Sequence, residues 1–309
     1  MDQGIKWPVK TREMRNFAMD STYWNEFEYR DDDIIVATWA KAGTTWVQQI
    51  IAQFVFEGET DGLPIGDMSP WLDFRLPPLE AKLPEIEAQQ HRRFLKTHLP
   101  LDAYVFSPKV KYVYIARDGR DCVWSMYNHN LYTNNVLYDG LAALPYFGPI
   151  LKPPRTDDLR EYYLDWFTKD GYPFWPFWEN IRSWWPTRKL PNVHFIHYQA
   201  LKDDMPGEMT KIGKFLGYDV DNLRKDTWDK MVYQCTFDYM KENATLSTPL
   251  GGAIFDGGAQ VFVNKGTNKR WKDTLTATDI AVYEARAIEE LGPECAHWLA
   301  TGEYLNEGS

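Results

Sequence analysis

The sequence predicts an α/β protein, one domain over residues 1–309 with a central parallel sheet flanked by helices. Three observations predict it. Short apolar, β-branched runs at 34–37, 110–116 and 193–198 read as strands buried on both faces. Segments of helical period alternate with these runs, and that alternation implies parallel pairing. One such unit, residues 33–56, reads as strand, tight turn of small residues and helix, and the rest of the chain is arranged around it.

Within that unit the strand covers 34–37 and the turn covers 40–43. From Thr44 onward Trp46, Val47, Ile50, Ile51, Phe54 and Val55 fall at helical spacing. The first N–H groups of a helix lack intrahelical partners and sit at its positive dipole end, so the turn is suited to an anion. Lys41 adds a full charge there, and Thr44 and Thr45 add hydroxyl donors. The segment reads as a phosphate cradle. The alternative is an ordinary strand-to-helix turn with one exposed lysine. It is not the Walker loop, because the lysine precedes Gly43 and no G-x-x-x-x-G-K-[ST] occurs.

Composition narrows the field. The chain is 44% hydrophobic and 25% charged, which is globular. A net charge of −10 argues against a nucleic-acid surface, so a phosphate ligand needs a local cluster of cations. Cys122, Cys235 and Cys295 are odd in number and far apart, which suggests no disulfide framework and a reducing compartment. No signal-like apolar run opens the chain, and no stretch approaches the roughly 18 apolar residues of a membrane span. A cytoplasmic location is expected, with no membrane or nucleic-acid partner.

Further along, the acidic run Arg30-Asp-Asp-Asp33 reads as a solvated turn and residues 57–84 as loop. Residues 92–100 read as a short strand entering a loop. Helices are expected near 158–169, 175–185 and 208–216, the last closed by Gly217. A final helix is expected over about 279–291, capped by Thr278 and Gly292. The 131–185 stretch is dense in aromatic residues and suits an acceptor pocket as well as core packing. Glycines crowd 250–258, so a loop is expected there that folds over the site as a lid when nucleotide binds, Phe255 then packing on the 146–178 aromatics; a surface loop with no role is the alternative. Lys41, His98, Arg117 and Tyr198 all fall at expected strand ends, where ligands of such sheets bind.

Five segments then carry a resemblance. Lys41-Ala-Gly-Thr-Thr-Trp46, Lys96-Thr-His98-Leu-Pro100, Arg117 with Ser125 eight positions on, Thr236-Phe237-x-x-Met240-Lys-x-Asn243, and Lys265-Gly266 followed by Trp271-Lys occur in order. Together they resemble the cytosolic-type sulfotransferases, which use 3′-phosphoadenosine-5′-phosphosulfate (PAPS) and release adenosine 3′,5′-bisphosphate (PAP) without a metal. The resemblance implies that Lys41, Lys96 and His98 are catalytic, with His98 as general base. It implies that Lys41, Ala42, Gly43, Thr44 and Thr45 hold the 5′-phosphate, and that Trp46, Phe237, Tyr198 and Cys235 face the adenine. Arg117, Ser125, Lys265 and Gly266 would hold the 3′-phosphate. The acceptor implied is a small hydroxylated molecule, phenolic or otherwise hydrophobic.

The sequence also departs from the family. Ala42 replaces a serine and Cys235 a threonine. Asn264 stands in place of an arginine, and Arg270 is the nearby candidate to compensate. The family's dimer segment is degraded at 272–281, so oligomeric state stays open. A nucleotide or small-molecule kinase on a related scaffold, and a non-catalytic nucleotide-binding module, are the competing readings.

Overall fold

Strand β1 (Ile34–Ala37) lies inside a four-stranded sheet of order β2-β1-β3-β4, with β2 at Phe94–Thr97, β3 at Lys111–Ala116 and β4 at Val193–His197. This is a computed structural model, and it describes residues 4–154 and 156–305. Every pairing is parallel: Ile34 faces Phe94 and Lys111, Ala37 faces Thr97 and Tyr114, and Ala116 faces His197. All four residues of β1 and of β2 are buried. Ile34 and Val36 join one apolar cluster with Val47, Ile50 and Phe54, while Ile35 and Ala37 join a second with Trp39, Trp166 and Phe177. The period-two alternation thus feeds two cores, one on each face.

The helix Thr44–Val55 follows β1 as expected and buries Val47, Ile50, Ile51 and Phe54. Helices also form at Leu159–Thr168, Phe177–Trp184 and Met205–Leu216, and Gly217 closes the last at φ 91°. Three expectations need correction. Residues 57–84 are not all loop: Ile65–Met68 is one helical turn, and a helix over Leu79–Glu87 starts directly after Pro78, where proline's fixed φ suits helix entry. The final helix runs over Ala277–Thr301 and is capped by Thr276, not Thr278; Thr276 and Asp279 form a capping box. Gly292 does leave the helical region (φ 74°, ψ 162°), but it makes a kink, and Pro293 restarts the helix.

The third correction concerns charge. Asp31 and Asp32 are exposed, but Asp33 is fully buried. Its carboxylate takes two hydrogen bonds from Arg93, at 2.8 Å from Nε and 2.5 Å from Nη2, and one of 2.8 Å from the Arg30 N–H. Arg93 Nη2 also donates to Glu28 O at 2.9 Å. The bidentate pair ties the entry of β1 to that of β2, where Ile34 N–H donates to Arg93 O at 2.9 Å. Asp33→Ala leaves a buried guanidinium unpaired, and we expect it to cost about 3–5 kcal/mol. Denaturant unfolding checks this; a loss under about 1 kcal/mol would mean that the pair holds nothing together.

Candidate active site

Each strand delivers one of the singled-out residues to the same edge of the sheet. β1 leads through Thr38 to Lys41, β2 runs into His98, β3 into Arg117 and β4 into Tyr198.

The turn after β1 has two left-handed residues, Lys41 at φ 66° and Gly43 at φ 116°. A Cβ on Gly43 would lie 2.8 Å from Ile115 Cδ1 and from Tyr198 Cδ2, so both backbone and neighbours require glycine. Gly43 N-caps the helix without a side chain, and its carbonyl is used by Trp46 and Val47. The amides of Gly43, Thr44 and Thr45 have no hydrogen-bond partner among the described residues. An open row of N–H donors at a helix start is what an anion requires.

Cations gather around that row. Arg117 Nη1 donates to Lys41 O at 3.4 Å, and its guanidinium lies 4.2 Å from the Tyr198 ring centroid. Its other nitrogens donate to Asn268 Oδ1 and Thr267 O, each at 2.9 Å. Burial, then the charges of Arg117 and Lys96, push the Lys41 ammonium down to about 7. Burial pushes Lys96 down to about 8, partly offset by Asp67 and Asp73. No carboxylate is among the groups acting on Lys41, so its charge awaits an anion.

His98 Nδ1 lies 2.9 Å from Thr38 O. A carbonyl only accepts, so Nδ1 carries the proton and Nε2 keeps its lone pair. Asn180 Nδ2 donates to His98 O at 2.9 Å, and the Trp71 ring stands edge-on to the imidazole at 4.6 Å. Burial, with Lys96 and Lys41 adding to it, pushes His98 down to about 3, so the ring is neutral.

A flat compartment adjoins the turn. Trp46 Nε1 donates to Cys235 O at 2.8 Å, and the Trp46 and Tyr198 rings meet at 5.6 Å. Gly266 (φ 61°) is backed against Phe237, whose Cδ2 would lie 2.9 Å from a Cβ placed there. Lys202 Nζ fixes Gly266 O at 2.7 Å. Phe237 is 41% exposed and offers an open ring face.

A sulfotransferase domain matches residues 31–292. The chain belongs to the sulfotransferase family. It is 27% identical to a glycolipid sulfotransferase of Mycobacterium bovis over 93% of this chain and 94% of that protein. It is 31% identical to rat sulfotransferase 1A1 over 82% of each chain. In fold it is similar to mouse sulfotransferase SULT7A1 complexed with PAP, at a TM-score of 0.68 and 22% identity, covering 90% of this chain and 91% of that one. It is also similar to retinol dehydratase in complex with retinol and PAP, at a TM-score of 0.69 and 22% identity over 87% and 84%. Family membership sets the kinase reading aside.

The structure brings together Lys41, Gly43, Trp46, Arg117, Tyr198, Cys235, Phe237 and Gly266. The side chains of Thr44, Thr45, Lys96, Ser125, Lys265 and Arg270 make no hydrogen bond or ion pair among the described residues. Ser125 is half-buried on the helix Gly119–Tyr132, and Asn264 is half-buried just before Lys265. Arg270 opens a short 3-10 turn, Arg270–Asp273, while Asn268 and Thr267 hold Arg117. Phe255 is buried, and its ring neighbours are His129 and Phe262, at 5.1 and 5.4 Å. The reason is a clasp: Asn134 N–H donates to Ile254 O and Asp256 N–H to Tyr132 O, which draws the segment onto the end of the Gly119–Tyr132 helix.

Sequence reasoning missed Trp71, Asn268 and His129. Only His129 left a usable signal, standing four residues after Ser125 and so on the same helix face. An anion in the cradle binds the protonated form of Lys41. The Lys41 contribution to affinity is therefore fully present below pH 7, and above pH 7 affinity falls by up to about tenfold per unit. Dissociation constants for PAP over pH 6–9 check this, with Lys41→Met expected to bind weakly and to lack the fall that begins at pH 7; a wild-type profile without that fall would show that Lys41 does not reach the anion.

Proposed function

We propose that this sulfotransferase moves a sulfuryl group from PAPS to the hydroxyl of a small, hydrophobic, phenolic or similar acceptor, with His98 as general base. The observation that carries the reading is the 2.9 Å bond from His98 Nδ1–H to Thr38 O, which leaves Nε2 as a neutral acceptor beside two lysines.

The residues fit the donor. The unpaired amides of Gly43, Thr44 and Thr45, with Lys41, suit the 5′-phosphate. The open Phe237 face and the Trp46–Tyr198 pair suit a purine held by stacking. Arg117, Ser125, Lys265 and Gly266 are assigned to the 3′-phosphate, with Arg270, whose side chain makes no ion pair among the described residues, in place of the missing arginine at Asn264. When bound, PAPS supplies an activated sulfuryl group on a phosphate leaving group. The chain's part is to place charge and to move one proton. Lys41 and Lys96 supply positive charge where the transferring oxygens and the leaving oxygen gain negative charge. His98 Nε2 takes the acceptor's hydroxyl proton, and the Thr38 carbonyl stabilises the imidazolium that forms.

The acceptor side is aromatic. Trp71 stands against His98 and stacks on Phe74 at 4.6 Å, while Phe255 and Phe262 close in from the other chain segment. Apolar acceptors also appear in the names of similar proteins, a glycolipid in one and retinol and androsterone in others. No helix among the described residues is long and apolar enough to cross a membrane.

PAP release from PAPS, followed with a panel of phenols and hydrophobic alcohols, tests the activity; release with none of them would favour the non-catalytic module. His98→Ala is expected to lower kcat by about 10²–10⁴-fold while the PAP dissociation constant stays within about twofold. A variant that turns over at the wild-type rate would remove His98 from the mechanism.

A further inference from the structure

His129 has no part in the steps above, yet its Nδ1 lies 3.4 Å from Lys41 Nζ. An ammonium only donates, so Nδ1 is the bare nitrogen and accepts. Burial, with the Lys41 charge, keeps the His129 pKa well below its ordinary value, so the ring stays neutral. Across the ammonium stands the Phe262 ring, 4.3 Å from Nζ to its centroid. Phe262 and Phe255 in turn flank the imidazole at 5.9 and 5.1 Å. Lys41 is therefore held between a nitrogen lone pair and a π face, on a backbone fixed at φ 66°. The other ionisable groups around it are Arg117 from the end of β3, Lys96 from β2, His98 from just past β2, and the Cys122 thiol from the His129 helix. Three of these are cations or become so, and none is a carboxylate.

We propose that His129 is a positioning residue for Lys41: it accepts from the ammonium, fixes it at the cradle and keeps it protonated near neutral pH among cations that would otherwise drive its proton off. The inference rests on the reading of Lys41 as the cation facing the donor's phosphosulfate. It gives one face of the Gly119–Tyr132 helix two working residues a turn apart, Ser125 and His129.

Two variants separate acceptor from bulk. His129→Phe keeps an aromatic ring between Phe255 and Phe262 but has no lone pair, while His129→Asn restores an acceptor oxygen at similar reach. The first readout needs no ligand: trace acetylation by acetic anhydride over pH 5.5–9, followed on the Lys41 peptide by mass spectrometry, reports how far Lys41 is protonated. In His129→Phe the titration should move down by about one pH unit. The second readout is the affinity for PAP, which should fall by up to about tenfold at pH 8 in His129→Phe but stay within about twofold at pH 5.5. His129→Asn should recover most of the loss. An acetylation profile unchanged in His129→Phe overturns the proposal, and so does an affinity loss equal at every pH, which is the mark of disturbed packing. A shifted acetylation profile in a protein that binds no PAP would keep the His129–Lys41 link and sink the donor reading instead.

Discussion

The site depends on where four parallel strands stop. Ala37 pairs with Thr97 on one side and with Tyr114 on the other, so β3 continues two residues beyond the end of β1, and β4 keeps level with β3 through the Ala116–His197 pair. Two residues of strand are about 7 Å. His98 and the start of the Lys41 turn therefore lie on a lower step, and Arg117 and Tyr198 on a higher one. A ligand that is reactive at one end and carries a second phosphate at the other fits a step of this kind. The parallel register alone produces it, without any special loop.

The two ends of β1 handle charge in opposite ways. At its entry Asp33 and Arg93 are fully buried, paired at two points, and surrounded by further donors and acceptors. At its exit Lys41, Lys96 and Arg117 crowd together with no carboxylate on Lys41. The first arrangement is complete and acts as a fastener. The second is incomplete: in a chain of net charge −10, burial and neighbouring cations still work against the charge on Lys41, which an anion would restore.

Much of this could be read from the chain. The strand-turn-helix unit, the four strand-end residues and the parallel sheet all follow from patterns of period two and 3.6, which are local. Long-range partners were less accessible. Asp33 looks like part of a solvated acidic run until Arg93, sixty residues on, is folded against it. Phe255 sits in a glycine-rich stretch, and only the clasp from Tyr132 and Asn134 determines which aromatics it meets. His129 belongs to no motif, and its spacing from Ser125 marks only a shared helix face. Its role comes from a lysine eighty-eight positions away.

The kink at Gly292 has a consequence of another kind. The final helix is kinked there and continues past it, and in its last segment Trp298 lies 5.1 Å from Trp185 and 5.6 Å from Phe195. Leu299 O then accepts from His197 Nε2 at 3.0 Å. His197 ends β4, and the next residue is Tyr198. The tail is thus bolted to the outermost strand of the sheet, one peptide bond from the ring that backs Gly43. Removing the chain from Trp298 onward would strip this bolt away and leave the His197 N–H at the sheet edge beside Tyr198 without its acceptor.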